Sequence, residues 1–237
     1  MLKLSTVPDF DPKMVPVLKT DAHLPSLDSK RLTLEGLEHC FKSPNSQDKG
    51  TWQDDFEDLT KGYPKQKAAV LIGLVRRADN LGVLLTQRAA HMRTHSGQVA
   101  FPGGKVDHSD PSIEFTALRE AQEEVGLESR HVKILGRLPD YLTFSNICVS
   151  PVVAWVEPDF ELKINPEEVA GVFEMPLPFL MNPSHHQQHR LEYKGQIRSW
   201  YSIAPHPAMQ GAFIWGATAS MIRGLYQFLS SHEAMTL

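Results

Sequence analysis

The stretch "GGKVDHSDPSIEFTALREAQEEVGL", residues 103–127, joins a glycine pair to an amphipathic run that carries three neighbouring carboxylates. Asp110 followed by Pro111 is a helix start with a mechanism: an Asp side chain caps free N–H groups, and Pro at the first helical position gives up a donor that had no partner. A helix is expected over 111–125. Leu118, Ala121 and Val125 then share one face, while Glu120, Glu123 and Glu124 share another. Gly126 is placed to end it. Residues three and four apart on a helix are neighbours, so Glu120 faces both other glutamates, at roughly 0.2–0.5 kcal/mol of repulsion per pair. A solvated acidic face tolerates that cost. A ligand-holding face explains it, because paired glycines allow a tight loop and close approach of backbone to a ligand. Three oxygen donors on one turn suit Mg²⁺ or Mn²⁺, hard ions that also take phosphate oxygens and water.

Outward from this stretch, "AAVLIGLVRR" and "GVLLTQR" are short apolar, β-rich runs separated by the turn-like "ADNL", which predicts an antiparallel hairpin. Strands are further expected at 132–138, 147–156, 199–203 and 212–215, and helices at 166–172 and 217–230. Strands interspersed with a few helices imply an α/β or α+β sandwich on a mixed sheet. The main domain should begin near Lys67 and run to residue 230, with 231–237 as a tail. Residues 1–31 carry prolines at 8, 12, 16 and 25 and are expected as an extended, weakly ordered arm. "LTLEGLEHCF", residues 32–41, spaces Leu34, Leu37 and Phe41 for one helical face. A polar linker or lid follows it to residue 66.

The chain has 237 residues, 41% hydrophobic and 22% charged, the make-up of an ordinary globular protein. A net charge of -4 argues against a broad nucleic-acid footprint. Any polyanionic ligand must be held by a local cluster or a metal. Cys40 and Cys148 stand alone and fit idle thiols in a reducing compartment. No run approaches the length of a membrane span, the N-terminus has neither signal-peptide nor transit-peptide character, and the C-terminal "MTL" is not a peroxisomal tripeptide. A cytoplasmic monomer or homodimer without membrane or nucleic-acid partners is the expectation.

Residues 103–127 resemble the Nudix box: Gly, five residues, Glu, seven residues, Arg-Glu, two residues, Glu-Glu, one residue, Gly. The second half matches at Arg119, Glu120, Glu123, Glu124 and Gly126. The first half departs from it. Asp110 stands where the pattern has Glu, eight residues rather than seven separate it from Arg119, and Glu114 is out of register. A second motif, "LLTQRAAHMRTHSGQVAFPGG" at 84–104, fills every specified position of the signature found beside the box in the coenzyme A pyrophosphatase branch. The resemblance covers roughly 32–230.

That resemblance implies a Nudix-type α/β/α sandwich with a mixed central sheet, and hydrolysis of the diphosphate of coenzyme A or its derivatives with Mg²⁺ or Mn²⁺. Glu120 and Glu124 are the implied main metal ligands, with Glu123 a further ligand or a base for the attacking water. Glu168, in "NPEEVAGVF", is a further candidate ligand or base, against the reading of an exposed first helical turn. The expected catalytic carboxylates are therefore Glu120, Glu123 and Glu168. Arg88 and Arg93 belong to the signature, and a guanidinium fork suits bidentate phosphate binding. Gly103, Gly104 and Lys105 complete the expected substrate-binding set, and Arg119 is read as structural support that orients a glutamate. His91 and His95 lack the Glu of a zinc-protease motif. His185, His186 and His189 read as a solvated loop, and Phe213 and Trp215 as core. The rival readings are a Nudix pyrophosphatase acting on ADP-ribose or a dinucleotide, a ligand sensor without hydrolysis, and a purely structural acidic helix.

Overall fold

A computed structural model of the chain describes residues 2–43, 51–52, 66–77, 81–92 and 95–231. Arg93, most of the polar linker and the tail lie outside the described residues. At the centre of the fold, β3 (Gln66–Arg76) and β9 (Ile147–Val156) run parallel, in register from Gln66 opposite Ile147 to Val75 opposite Val156. A parallel pair covered on both faces needs near-continuous apolar runs, which is what "AAVLIGLV" and "SPVVAWV" supply. Alternation then sorts the residues between two layers. Leu71, Val75, Val152, Ala154 and Val156 pack against Ala117, Ala121 and Val125 of α2 (Ile113–Val125). Ile72, Leu74, Val153 and Trp155 share the opposite core with Leu37 of α1 (Leu34–Lys42) and with Ile222 and Leu225 of α4 (Ala217–Ser231). The result is the expected mixed sheet between helical layers.

The expected hairpin pairs β3 with β4 (Leu81–Arg88), and the sheet extends as β10–β4–β3–β9–β8–β2, with β5 against β4, β6 against β3 and β7 against β9. Here β2 is Thr51–Trp52, β5 Val99–Ala100, β6 Gly103–Lys105, β7 Val132–Arg137, β8 Asp140–Leu142 and β10 Val169–Pro176, with the one-turn helix α3 (Leu177–Leu180) directly after β10. Among the described residues no helix is long and apolar enough to cross a membrane.

Several local expectations change. Residues 166–168 form a turn and β10 follows, where a helix was expected over 166–172. The run buries Val169, Phe173 and Met175, all odd positions, and β4 offers an open edge to pair with. The histidines of "NPSHHQQH" also belong to regular structure. β11 (His186–Tyr193) pairs with β12 (Gln196–Ile203) and with β1 (Val17–Thr20) in a second, three-stranded sheet. His186 is fully buried and donates from Nε2 to the Leu180 carbonyl at 2.7 Å, and His189 Nε2 lies 2.8 Å from Ser202 Oγ. Buried imidazoles with partners replace the solvated loop. The strand expected at 212–215 reduces to one bridge between Trp215 and Ser202, because Gln210, Gly211 and Gly216 take positive φ around it.

The N-terminal segment is also more regular than its prolines imply. Three short 3-10 turns and β1 carry it across the second sheet. Asp21 then meets Arg223 of α4 at 2.6 Å with both side chains nearly inaccessible, and Arg223 lies over the Tyr201 ring at 4.6 Å. Prolines forbid helix interiors but are tolerated beside an edge strand. Removing one partner of a buried pair costs about 3–5 kcal/mol, since the other charge is stranded. Asp21→Ala should therefore lower the urea midpoint markedly, and Asp21→Ala with Arg223→Met should recover much of it. Unchanged midpoints in both would mean the segment is not held by this pair.

Candidate active site

Helix α2 presents its carboxylates at graded depth because its apolar residues fix its rotation on the sheet. Ser112 caps it by accepting from the Phe115 N–H at 3.1 Å, so the helix starts at Ile113 rather than at Pro111, and Gly126 ends it in the left-handed region at φ 73°. Side-chain exposure is 53% at Glu123, 14% at Glu120 and 4% at Glu124. The glycine pair lies directly opposite. A Cβ on Gly104 would come within 2.5 Å of the Glu120 carboxylate, and one on Gly103 within 2.4 Å of the Ala69 carbonyl oxygen. Only residues without side chains let β6 pass between β3 and these carboxylates.

Asp110, freed from capping, takes a different part. Its two oxygens accept from Arg119 Nε and Nη2 at 3.0 Å each, and it also accepts from Thr116 Oγ1 at 2.8 Å and the Asp107 N–H at 2.9 Å. Arg119, first among these donors, holds the Asp110 carboxyl well below the usual carboxylate range. The same guanidinium donates from Nη1 to Glu120 at 2.9 Å and to Glu123 at 3.1 Å, and from Nη2 to the Lys105 carbonyl at 3.2 Å. Bidentate pairs of this kind fix orientation as well as charge. Asp110 is thus paired with Arg119 although eight residues separate them. Glu114 turns away to Arg137, 3.4 Å distant.

Glu124 is the least compensated member of the cluster. Its Oε2 accepts from the Gly103 N–H at 3.4 Å, and its Oε1 lies 3.9 Å from Arg88 Nη1. Burial pushes its carboxyl up to about 8 despite the opposing pull of Arg88, with the charges of Glu120 and Glu168 adding to the rise. Burial likewise raises Glu120, against Arg119, with Glu123 and Glu168 contributing repulsion. Glu168 therefore faces the same cluster. It arrives there because β10 pairs with β4, setting Val169 opposite Arg88, and because the Ala89 N–H donates to the Glu168 carbonyl at 2.8 Å. Among the described residues no three His, Cys, Asp or Glu side chains form a ready-made metal group. Glu120 and Glu123 are turned toward Arg119, and Glu124 toward Gly103.

The cationic side is partly open to a ligand. Arg88 Nε is buried without a hydrogen-bond partner among the described residues, although buried donors are almost always paired. Lys105 is exposed, with its carbonyl bound to Arg119. The structure thus brings together Glu120, Glu123, Glu124, Glu168, Arg88, Arg119 and the two glycines. The pairing of Asp110 with Arg119 and Thr116 was not read from the sequence. Its signal was present in the spacing, with Arg119 on the second turn of the helix that Asp110 precedes, where Asp could cap or pair.

The family profile described as NUDIX domain matches residues 64–194. A protein named uncharacterized Nudix hydrolase NudL from Enterobacter sp. (strain 638) is 46% identical over 162 residues, 68% of this chain and 81% of that protein. One of the same name from Salmonella dublin is 42% identical over 201 residues, 84% of this chain and 96% of its own length. Among solved structures, a Caenorhabditis elegans Ap4A hydrolase binary complex is similar with a TM-score of 0.45 and 18% identity, covering 70% of this chain and 99% of that one. With the matched profile spanning more than half of the sequence and these relatives aligned along most of it, the chain belongs to the Nudix family.

Proposed function

We propose that this Nudix hydrolase cleaves the diphosphate of coenzyme A or its derivatives, giving 3′,5′-ADP and 4′-phosphopantetheine or its acyl or disulfide form. The observation that carries the reading is the approach of Arg88, from the fully matched signature, to Glu124 of the acidic helix at 3.9 Å. Cation and carboxylates share one small site. The donors on α2 are all oxygens, and the burial that raises Glu120 and Glu124 is a penalty on their charged forms that an arriving cation would offset. That donor set fits Mg²⁺ or Mn²⁺. Glu120 and Glu124 would hold the ion, with Glu123 or Glu168 as a further ligand, and it would supply charge neutralisation for the diphosphate.

The chain's own groups have distinct tasks in this reading. Arg88 and Arg93 bind phosphate oxygens, Lys105 adds a third cation, and Gly103 and Gly104 allow the diphosphate to come close. In the cleavage a water oxygen bonds to one phosphorus, the bridging oxygen leaves with the bonding pair, and a carboxylate takes the water proton. Glu123 or Glu168 is that base. Asp110 and Arg119 act as positioning residues through Glu120 and Glu123.

Incubation with coenzyme A, dephospho-coenzyme A, ADP-ribose and NADH in the presence of Mn²⁺, with products identified by mass, tests the proposal. Coenzyme A should give 3′,5′-ADP. Equal turnover of coenzyme A and its dephospho form would favour a broader nucleoside diphosphate substrate, and no cleavage of any would rule out hydrolysis. Glu123→Gln and Glu124→Gln should each lower kcat by about 10²-fold or more, as losing a general base costs 10²–10⁴. Wild-type rates would remove α2 from the reaction. Asp110→Asn should cost about 10- to 100-fold in metal affinity or activity, the range for residues that orient ligands. Asp110→Glu should recover much of that loss, and equal defects in both variants would deny Asp110 this role.

A further inference from the structure

The hairpin that carries Arg88 has a second occupied face. There the N-terminal segment and Ala212, Phe213 and Trp215 bound a groove-like cavity of about 510 Å³, with Phe10 among its rings and Gln87 and Gln98 at its hairpin side. A second cavity of about 450 Å³ borders this groove, with Lys13, Ala212 and Phe213 in both walls. The larger cavity falls in the roughly 300–1,000 Å³ range of small-molecule sites, which are mostly apolar with a few polar groups.

Charge selects the kind of ligand. Among the described residues lining the larger cavity, Lys13 is the single charged one, and its ammonium already donates to the Gly211 carbonyl at 2.9 Å. A phosphate-bearing group would enter a wall with one committed cation, at a desolvation cost that nothing there offsets. A neutral arm fits better. The rings are held as a unit, with Phe10 edge-on to Trp200 at 5.7 Å and 6.0 Å from Trp215. Gln87 donates from Nε2 to the Gly97 carbonyl at 3.2 Å and Gln98 Oε1 lies 2.8 Å from His95 Nδ1, so the Gln87 oxygen and the Gln98 nitrogen are the atoms that would meet amides of the arm.

Position ties the groove to the carboxylates. Gln87 and Arg88 are successive residues of β4, so their side chains leave on opposite faces. Arg88 points to Glu124 and Gln87 lines the groove. A packed layer is only roughly 10 Å thick, so a long substrate rounding the end of the hairpin can occupy both. We infer that this groove holds the neutral pantetheine arm of the substrate, with any acyl group on its sulfur. This rests on the coenzyme A reading above, which fixes the diphosphate at the other face.

The test uses S-octanoyl pantetheine, which has the arm and no diphosphate, with tryptophan fluorescence of the full chain as readout. Saturable binding is expected. Phe213→Ala and, independently, Phe10→Ala should each weaken it about tenfold or more, the size of a lost aromatic contact. The same variants should raise KM for octanoyl-coenzyme A while kcat stays near the wild-type value. Lys13→Ala should leave 3′,5′-ADP binding unchanged. Absence of saturable binding, or equal binding by wild type and both Phe variants, overturns the inference. So does weaker binding of 3′,5′-ADP by Lys13→Ala, which would put the phosphate end in the groove. Failure of the coenzyme A reading would show separately, as wild-type protein that binds the arm and leaves coenzyme A intact.

Discussion

The Asp110–Arg119 pair is the contact on which the acidic site depends. A single guanidinium bonds Asp110 through two nitrogens and touches both Glu120 and Glu123. Without the Asp110 anchor, Arg119 would be free to follow either glutamate, and the loop at 103–110 would keep only the Lys105 and Gly103 backbone contacts to the helix. Asp110 is itself fixed from Thr116 and from the Asp107 N–H. Loop, helix and carboxylates are thereby locked in one geometry. That geometry also explains why glycine is needed at 104, where any side chain would strike Glu120.

The cluster is balanced unevenly, and the imbalance has chemical meaning. Arg119 offsets the outer carboxylates, whereas Glu124 lies deepest, with one long N–H contact and a guanidinium at 3.9 Å. Burial accordingly favours its protonated form. A buried carboxylate held this way is a poor structural ion pair. In the proposed function it would take a cation that arrives with its own charge, accompanied by an anionic substrate facing Arg88. The repulsion along α2 is then an arrangement completed by a ligand.

Much of this was legible in the sequence, because the informative signals are local. The apolar face of α2, its glycine stop and the preceding glycine pair all lie within 25 residues, and the two long apolar runs announce a buried sheet. What misled was ambiguity between local roles. Asp before Pro can cap a helix or accept a guanidinium, and the choice is set by Arg119 on the second turn of the helix that follows. "PEEV" has the composition of a helix start, but the open edge of β4 captured the following residues as β10. His186 and His189 looked solvated because their burial depends on β1 and α4, which are distant in sequence. The nearness of Glu168 to Arg88 follows from strand register, which no motif encodes.

The central claim is that α2 is an ion-holding helix, and calorimetric titration with Mn²⁺ tests it most directly. Glu114 lies on the same helix but pairs with Arg137, so Glu114→Gln controls for helix charge alone. The wild type and Glu114→Gln should bind Mn²⁺ alike, whereas Glu120→Gln and Glu124→Gln should each lose most of the affinity. Equal affinity in all four proteins would contradict the account and leave α2 an acidic helix with no ligand.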